Sequence, residues 1–543
     1  MLLFLTIDSV AGAALWGLSL LLAIMLVGTI IESKVERRPL VAAIAVLLTW
    51  IVLGSWWEGL DLGRSLIPAL FTVAAFGMIG LLWIVWAGRA TEDEGFGHGS
   101  HLALAGYLFL IFIASRETLA FPPWPLFAVL AILTLAIGVT SLYLRRGTLT
   151  IGGATAAQAV LLTWAVQTHT PPWSTTGLAA TLFVAAGAYV WLFLGERVLG
   201  ADRSLTFRIA AAVALLFGHA VASVLGMNAD PPLFATLLAT HAVLVAATLA
   251  LAWRTEMHSL ALWSVALTSI TTLGAHAATP QRAFTFAVVL YALYMLYPLL
   301  LGARAKRSLH PYLAAIIASA SFFFYGRDAM LDAGLGYMIG VFPVAQAILL
   351  LLLLFRLLRT EPPDARQLGR LAIVAGTALA FITAAIPLQL DKQWITIGWA
   401  LEGAALIWLF RRIPHRGLVV WAAALLIAVF VRLMFNPAVL GYHPQAHRAI
   451  FNWYLYTYLV SAASFFAAAY LSPRAWKRSI GAACAMGTIL LFALLNIEIA
   501  DFYATGPEIT FKFGVSIAQD LTYTIGWLIF GLGMLSAGIY LHS

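Results

Sequence analysis

Among the ionisable side chains that fall within apolar runs of this sequence, Glu402 is the clearest candidate for chemistry, about nine residues into a hydrophobic run that opens at Gln393. At about 1.5 Å per helical residue it lies roughly 13 Å along that run. A carboxylate at such a depth in hydrocarbon costs several kcal/mol unless it faces other helices and finds a partner. Trp399, Glu402, Gly403 and Leu406 fall on one helical face, so the acid stands beside an aromatic ring and a gap through which another helix can approach. Two roles fit: a hydrogen bond locking two helices together, or a proton or ligand site. Arg432, in the next apolar run and four residues before Asn436, is the natural counter-charge. It is expected within hydrogen-bonding or water-bridged reach of Glu402, in a pair of the kind that is often structural.

The stretch from Asn436 to Tyr454 mixes polar and aromatic groups: Tyr442, His443, Pro444, Gln445, His447, Arg448, Asn452, Trp453 and Tyr454. Arg grips phosphate in a two-pronged fashion, and with His and aromatic rings beside it this composition suits the pyrophosphate or sugar of a lipid-linked substrate. An interfacial aromatic belt is the plainer reading. A candidate substrate-binding set follows, of Glu402, Trp399, Arg432, Asn436, Tyr442, His443, His447, Arg448, Asn452 and Trp453. Arg116/Glu117, Arg327/Asp328, Asp391/Lys392 and the Asn496, Glu498, Asp501 group rank lower, as charge at helix ends.

Three histidines, His219, His241 and His276, invite a metal reading. No HExxH or carboxylate-rich motif accompanies them, so hydrogen bonds across helices are expected and neither a metal nor a cofactor is. The Glu92-Asp93-Glu94 run with His98 and His101 reads as a solvated turn. Cys484 is the only cysteine, which excludes an internal disulfide or a multi-cysteine redox centre. No phosphate-cradling glycine loop or nucleophile elbow is present, so this chain is not expected to draw on bound nucleotide.

The elements that hold these residues follow from composition. Of 543 residues, 62% are hydrophobic and 10% charged, with apolar runs recurring almost from end to end. A spanning helix needs about 20 such residues, because backbone polar groups in hydrocarbon must be satisfied within the helix. The expected fold is an all-α polytopic integral membrane protein of about nineteen transmembrane helices. The net charge of +8 is spread over short clusters between runs, such as Lys34/Arg37/Arg38, Arg145/Arg146, Arg304/Lys306/Arg307 and Arg474/Lys477/Arg478. That pattern fits membrane topology and excludes a nucleic-acid surface. Basic loops alternate with loops poor in charge, which predicts the N-terminus outside, the C-terminus in the cytoplasm, and a retained signal anchor as the first helix. Prolines open helices in the alternate loops, at Pro122-Pro123, Pro171-Pro172, Pro231-Pro232 and Pro280. Their spacing predicts tandem hairpins of two helices each, and the expected division is a bundle over 1–280 and a second over 281–543.

The second part carries a resemblance. The runs Asp391-Lys392-Gln393-Trp394 and Gly398-Trp399-Ala400-Leu401-Glu402-Gly403-Ala404-Ala405-Leu406, the segment Ile450-Phe451-Asn452-Trp453-Tyr454-Leu455-Tyr456, and Gly526-Trp527-Leu528-Ile529 carry it. From about residue 281 onward the chain resembles a bacterial family of predicted membrane proteins, domain of unknown function 2339. The resemblance implies a helical membrane fold in the bacterial inner membrane and supplies no activity. Three functions remain open. One is binding or translocation of an amphipathic or lipid-linked envelope component at a site open to the outer face. Another is glycan or lipid transfer, with His443 or His447 as base and Arg448 on phosphate. The third is a scaffold for a periplasmic protein partner. Membrane lipids are expected contacts in each.

Overall fold

The computed structural model describes residues 14–58, 62–88, 102, 104–145, 147–167, 173–200, 204–228, 231–278, 280–301, 308–362, 366–389, 394–441, 450–504, 509, 511 and 516–540. Among these the chain is helical and contains no strand. Among the described residues there are nineteen helices of ten residues or more, against about nineteen transmembrane helices expected from the sequence. Fifteen are long and apolar enough to cross a membrane. The exceptions have local causes. Ala105–Ala114 and Trp394–Phe410 are short, the described apolar part of Ser259–Ala278 stops at Leu273, and His310–Asp332 carries Arg327, Asp328 and Asp332 near its end.

Two compact units make up the chain: Met1–Leu301 with Leu313–Tyr325, and Gly302–Tyr312 with Gly326–Ser543. The first begins with α1 (Ala14–Val35), α2 (Pro39–Glu58) and α3 (Leu62–Gly88). It continues with α4 (Ala105–Ala114), α5 (Trp124–Tyr143), α6 (Thr148–Gln167), α7 (Trp173–Leu199), α8 (Leu205–Met227), α9 (Phe234–Thr255), α10 (Ser259–Ala278) and α11 (Pro280–Leu301). From α4 onward these form two rows. The helices α4, α6, α8 and α10 pack in succession, as do α5, α7, α9 and α11, and each of α5–α6, α7–α8 and α9–α10 is a hairpin joining the rows. The tandem hairpins read from the prolines are thus the unit's architecture.

Small residues bring the first row together. Ala157, Ala210, Ala211 and Ala214 are fully buried, and the Gln158 side chain of α6 donates to the Ala214 carbonyl of α8 at 2.9 Å. Close backbone approach of this kind is how helices gain contact in a lipid solvent, where apolar transfer supplies no drive.

After α12 (His310–Asp332), the second unit holds α13 (Val341–Thr360), α14 (Leu368–Gln389), α15 (Trp394–Phe410), α16 (Arg416–Phe435), α17 (Trp453–Leu471), α18 (Lys477–Tyr503) and α19 (Ile517–Tyr540). Its centre is α15, which packs against α14, α16 and α17. Two glycines set that packing: a Cβ on Gly398 would stand 2.6 Å from Ile386 of α14, and one on Gly403 would stand 2.8 Å from Leu426 of α16. Close packing also joins α17 to α18, and α19 leans on α18 with most of its surface exposed.

Candidate functional site

Enclosure of α15 on three sides makes a buried carboxylate tolerable there. Glu402 is 5% exposed. Its Oε1 is hydrogen-bonded to the hydroxyl of Thr383 on α14, and its Oε2 is buried with no hydrogen-bond partner. Thr383 also lies 2.9 Å from the Leu379 carbonyl in its own helix. One turn before Glu402, the indole Nε1 of Trp399 is likewise buried without a partner.

Glu402 is not hydrogen-bonded to Arg432, the counter-charge read from the sequence. Helix register explains this. Gly403 meets Ala422 and Leu426 of α16, so Arg432 lies some six residues further along, about 9 Å at 1.5 Å per residue. Arg432 is half-buried in the last turn of α16.

A second polar centre forms where α17 begins. Asn452 is buried and caps α17, its Oδ1 accepting from the Leu455 amide at 3.0 Å. Its Nδ2 donates to Glu498 Oε2 at 2.9 Å and to Asp501 Oδ2 at 3.3 Å, both on α18. Glu498 Oε1 is buried without a partner. Trp453 and Tyr454 are buried in the first turn of α17 beside this centre. The acids read from the sequence as helix-end charge are therefore part of a built arrangement, and an i, i+3 pair of carboxylates in an apolar helix was the available signal.

Near it is a cavity of about 520 Å³ whose walls include Leu433, Phe435, Asn436, Tyr458, Asn496 and Phe511. Its polar side chains are held by the protein itself. Asn436 accepts from the Ala438 amide at 3.1 Å, the Tyr458 hydroxyl donates to the Leu433 carbonyl at 2.8 Å, and Asn496 accepts from the Trp527 indole at 2.9 Å. Apolar walls with a few fixed polar groups suit an amphipathic ligand.

Tyr442, His443, His447 and Arg448 lie outside the described residues, as do Asp391, Lys392 and the Glu92–His101 turn. Arg327 pairs with Asp328 at 3.1 Å, and the Arg116 guanidinium lies over the Phe112 ring at 4.4 Å.

The first unit contains a polar network of which only the histidines are legible in the sequence. His219 and His241, both fully buried, approach Nδ1 to Nδ1 at 3.2 Å. Such a contact needs opposite tautomers, one ring donating and the other accepting. His219 Nε2 lies 3.2 Å from the Ser264 hydroxyl, which lies 2.8 Å from the Tyr294 hydroxyl. The expected cross-helix hydrogen bonding is present, through α8, α9, α10 and α11. The side chain of His276 is outside the described residues. Among the described residues, no group of three or more His, Cys, Asp or Glu is placed to hold a metal.

Long apolar helices carrying buried polar contacts between them define a polytopic, all-helical membrane protein. Residues 230–506, just over half of the chain, match the family described as Predicted membrane protein (DUF2339), and the protein belongs to that family. The match begins earlier than the resemblance at residue 281 and takes in His241, Ser264, Glu402, Asn452 and Glu498, while Gly526–Ile529 falls beyond it. No curated protein and no solved structure matches the chain.

Proposed function

We propose that the second unit binds an amphipathic envelope component, its apolar part in the cavity of about 520 Å³ and its polar head toward Asn452, Glu498 and Asp501. The observation that carries this reading is the pairing of that cavity with the acid pair following Asn496 and Ile497 of its wall. Glu498, whose Oε1 is buried without a partner, can accept a further hydrogen bond, which favours a head rich in hydroxyl or ammonium groups over a bare phosphate. The distribution of basic loops supports placing the chain in a bacterial inner membrane with its N-terminus outside, which puts this site at the outer face. A translocation role is the second reading. It is favoured by the contact of buried Glu402 with Thr383 about two-thirds of the way along α14, and by the pairing of buried Arg370 with Glu361 near that helix's start.

The full chain, purified in mild detergent and extracted for lipid mass spectrometry, tests the binding reading. Ala493→Trp fills the cavity from α18, and Met434→Trp does so from α16. Both are expected to deplete one amphipathic species that accompanies the wild type. If a filled variant elutes like the wild type and retains the same species in the same amounts, the cavity is not the site and the proposal fails.

A further inference from the structure

The polar network of the first unit is a single chain of contacts with an open end. It runs from His241 of α9 through His219 of α8 and Ser264 of α10 to Tyr294 of α11, at 3.2, 3.2 and 2.8 Å. Tyr294 lies 3.4 Å from the Thr268 hydroxyl, which donates to the Ser264 carbonyl at 3.0 Å and so keeps its oxygen for accepting. All five side chains are buried. At the other end, His241 Nε2 is buried with no hydrogen-bond partner among the described residues.

Hydrogen bonds along this chain can point in two senses. In the first, His241 Nδ1 donates to His219 Nδ1, His219 Nε2 to Ser264, Ser264 to Tyr294 and Tyr294 to Thr268. In the second, Tyr294 donates to Ser264, Ser264 to His219 Nε2 and His219 Nδ1 to His241 Nδ1. Each sense puts one proton in each of the three contacts from His241 to Tyr294. Neither leaves a charge among apolar helices. They differ at the ends, where His241 Nε2 is bare in the first and carries the proton in the second.

The chain also advances through the unit. The helices α9 and α11 run the same way, with α10 returning between them, and His241 and Tyr294 stand seven and fourteen residues after their first residues. At 1.5 Å per residue the two lie about 10 Å apart along the axis. Tyr294 borders a small cavity of about 10 Å³ between α10, α11 and α12, with Thr268, Ser269, Tyr291 and Ser321 around it. That is room for one water among hydroxyl groups that can bond it. One turn beyond Tyr294, the Tyr297 hydroxyl lies 3.0 Å from His258 Nδ1, both buried, so polarity continues toward the turn between α9 and α10.

We propose that this chain is a proton relay, taking up a proton at His241 Nε2 and releasing one from Tyr294 to a water in the cavity. As the N–H bond forms at His241 Nε2, His241 Nδ1 gives its proton to His219 Nδ1, and His219 Nε2 gives its own to Ser264. Ser264 passes its proton to Tyr294, and Tyr294 passes its proton to the water. One proton enters and one leaves, and the chain changes from the first sense to the second. Rotation of the hydroxyls and imidazole rings returns it.

The full chain reconstituted in liposomes, with a pH dye in the lumen and a potassium diffusion potential set by valinomycin, tests the relay. Wild type is expected to acidify the lumen faster than protein-free liposomes do. Ser264→Ala and Tyr294→Phe each remove one hydroxyl of the chain and are expected to return the rate to the protein-free one. Ser223→Ala removes a buried hydroxyl outside the chain and is expected to keep the wild-type rate. Either chain variant that elutes like the wild type serves, and the wild-type comparison stands without them. A wild-type rate equal to that of protein-free liposomes overturns the relay. So does a chain variant that melts at a lower temperature yet conducts like the wild type, the mark of a network that only locks helices together, or a loss in Ser223→Ala as large as in Ser264→Ala.

Discussion

Removing the Thr383 hydroxyl should harm the protein only while Glu402 is present. Thr383 has a single hydroxyl proton and two oxygens near it, the Leu379 carbonyl at 2.9 Å and the Glu402 carboxyl. In Thr383→Val the carboxyl loses its one partner, and both oxygens of a group only 5% exposed are then unbonded. An interhelical hydrogen bond in a membrane protein contributes about 0.6 kcal/mol on average and up to roughly 1.7. Leaving a buried acceptor orphaned costs about 1–3 kcal/mol. A loss of roughly 1–3 kcal/mol is therefore expected for Thr383→Val. Glu402→Leu behaves differently, because it removes the buried carboxyl altogether and leaves Thr383 its bond to Leu379, so a change under about 1 kcal/mol follows. Adding Thr383→Val to Glu402→Leu should then change little. Reversible unfolding of the full chain in mixed micelles, run as a double-mutant cycle, gives the coupling directly. Additivity of the two substitutions within about 0.5 kcal/mol would refute the interhelical bond and the role assigned to Glu402.

Three further outcomes follow from the geometry. Asn452→Ala removes the cap of α17 along with the donor to Glu498 and Asp501, so amide exchange over the first turn of α17 should speed up, for a cap loss of about 0.5–2 kcal/mol. Unchanged exchange there would exclude the capping role. Gly403→Ala places a methyl 2.8 Å from Leu426 Cγ and should lower the melting temperature, overpacking of about 1–3 kcal/mol outweighing a gain of up to about 1 in helix propensity. Gly481→Ala in α18, where a Cβ meets nothing within 4 Å, should raise the melting temperature, and a fall in both variants would show that the contact at Gly403 is not the cause.

The helices and hairpins were legible because the bilayer imposes run length, loop charge and proline placement one segment at a time. Contacts between helices depend on register, which no single segment carries. That Glu402 must find a partner could be read from its apolar setting, and Gly403 marked the side on which a helix draws near. Which residue answers it depends on how far α16 slides along α15, and with Gly403 meeting Ala422 and Leu426 the direct bond to Glu402 comes from Thr383 of the preceding helix and not from Arg432. Threonine gives no warning of such a role, being common in spanning helices, where its hydroxyl usually turns back on its own backbone. Asn452 and the acids of α18 are 46 and 49 residues apart in sequence, too far for spacing to link them. His219 and His241 fall 22 apart, one helix and a turn, which is why cross-helix bonding was readable there and Ser264 with Tyr294 was not.

Enclosure by neighbouring helices, rather than hydropathy, decides where this chain keeps polarity. In the first unit each of α6, α8 and α10 packs against helices of both rows, and these three carry Gln158, His219, Ser223, Ser264 and Thr268, all buried. The second row turns Val190, Phe193 and Val243 outward and buries Ser141, Thr181 and His241 where α6 or α8 meets them. The same condition recurs at α15, packed on three sides, and it is the helix that holds Glu402. A polar side chain in hydrocarbon needs a partner and a wall against lipid together. The hairpin repeat builds that wall in the first unit, and the short central helix has it in the second, so changes of function within such a frame can fall on these enclosed helices without disturbing the surface that meets the bilayer.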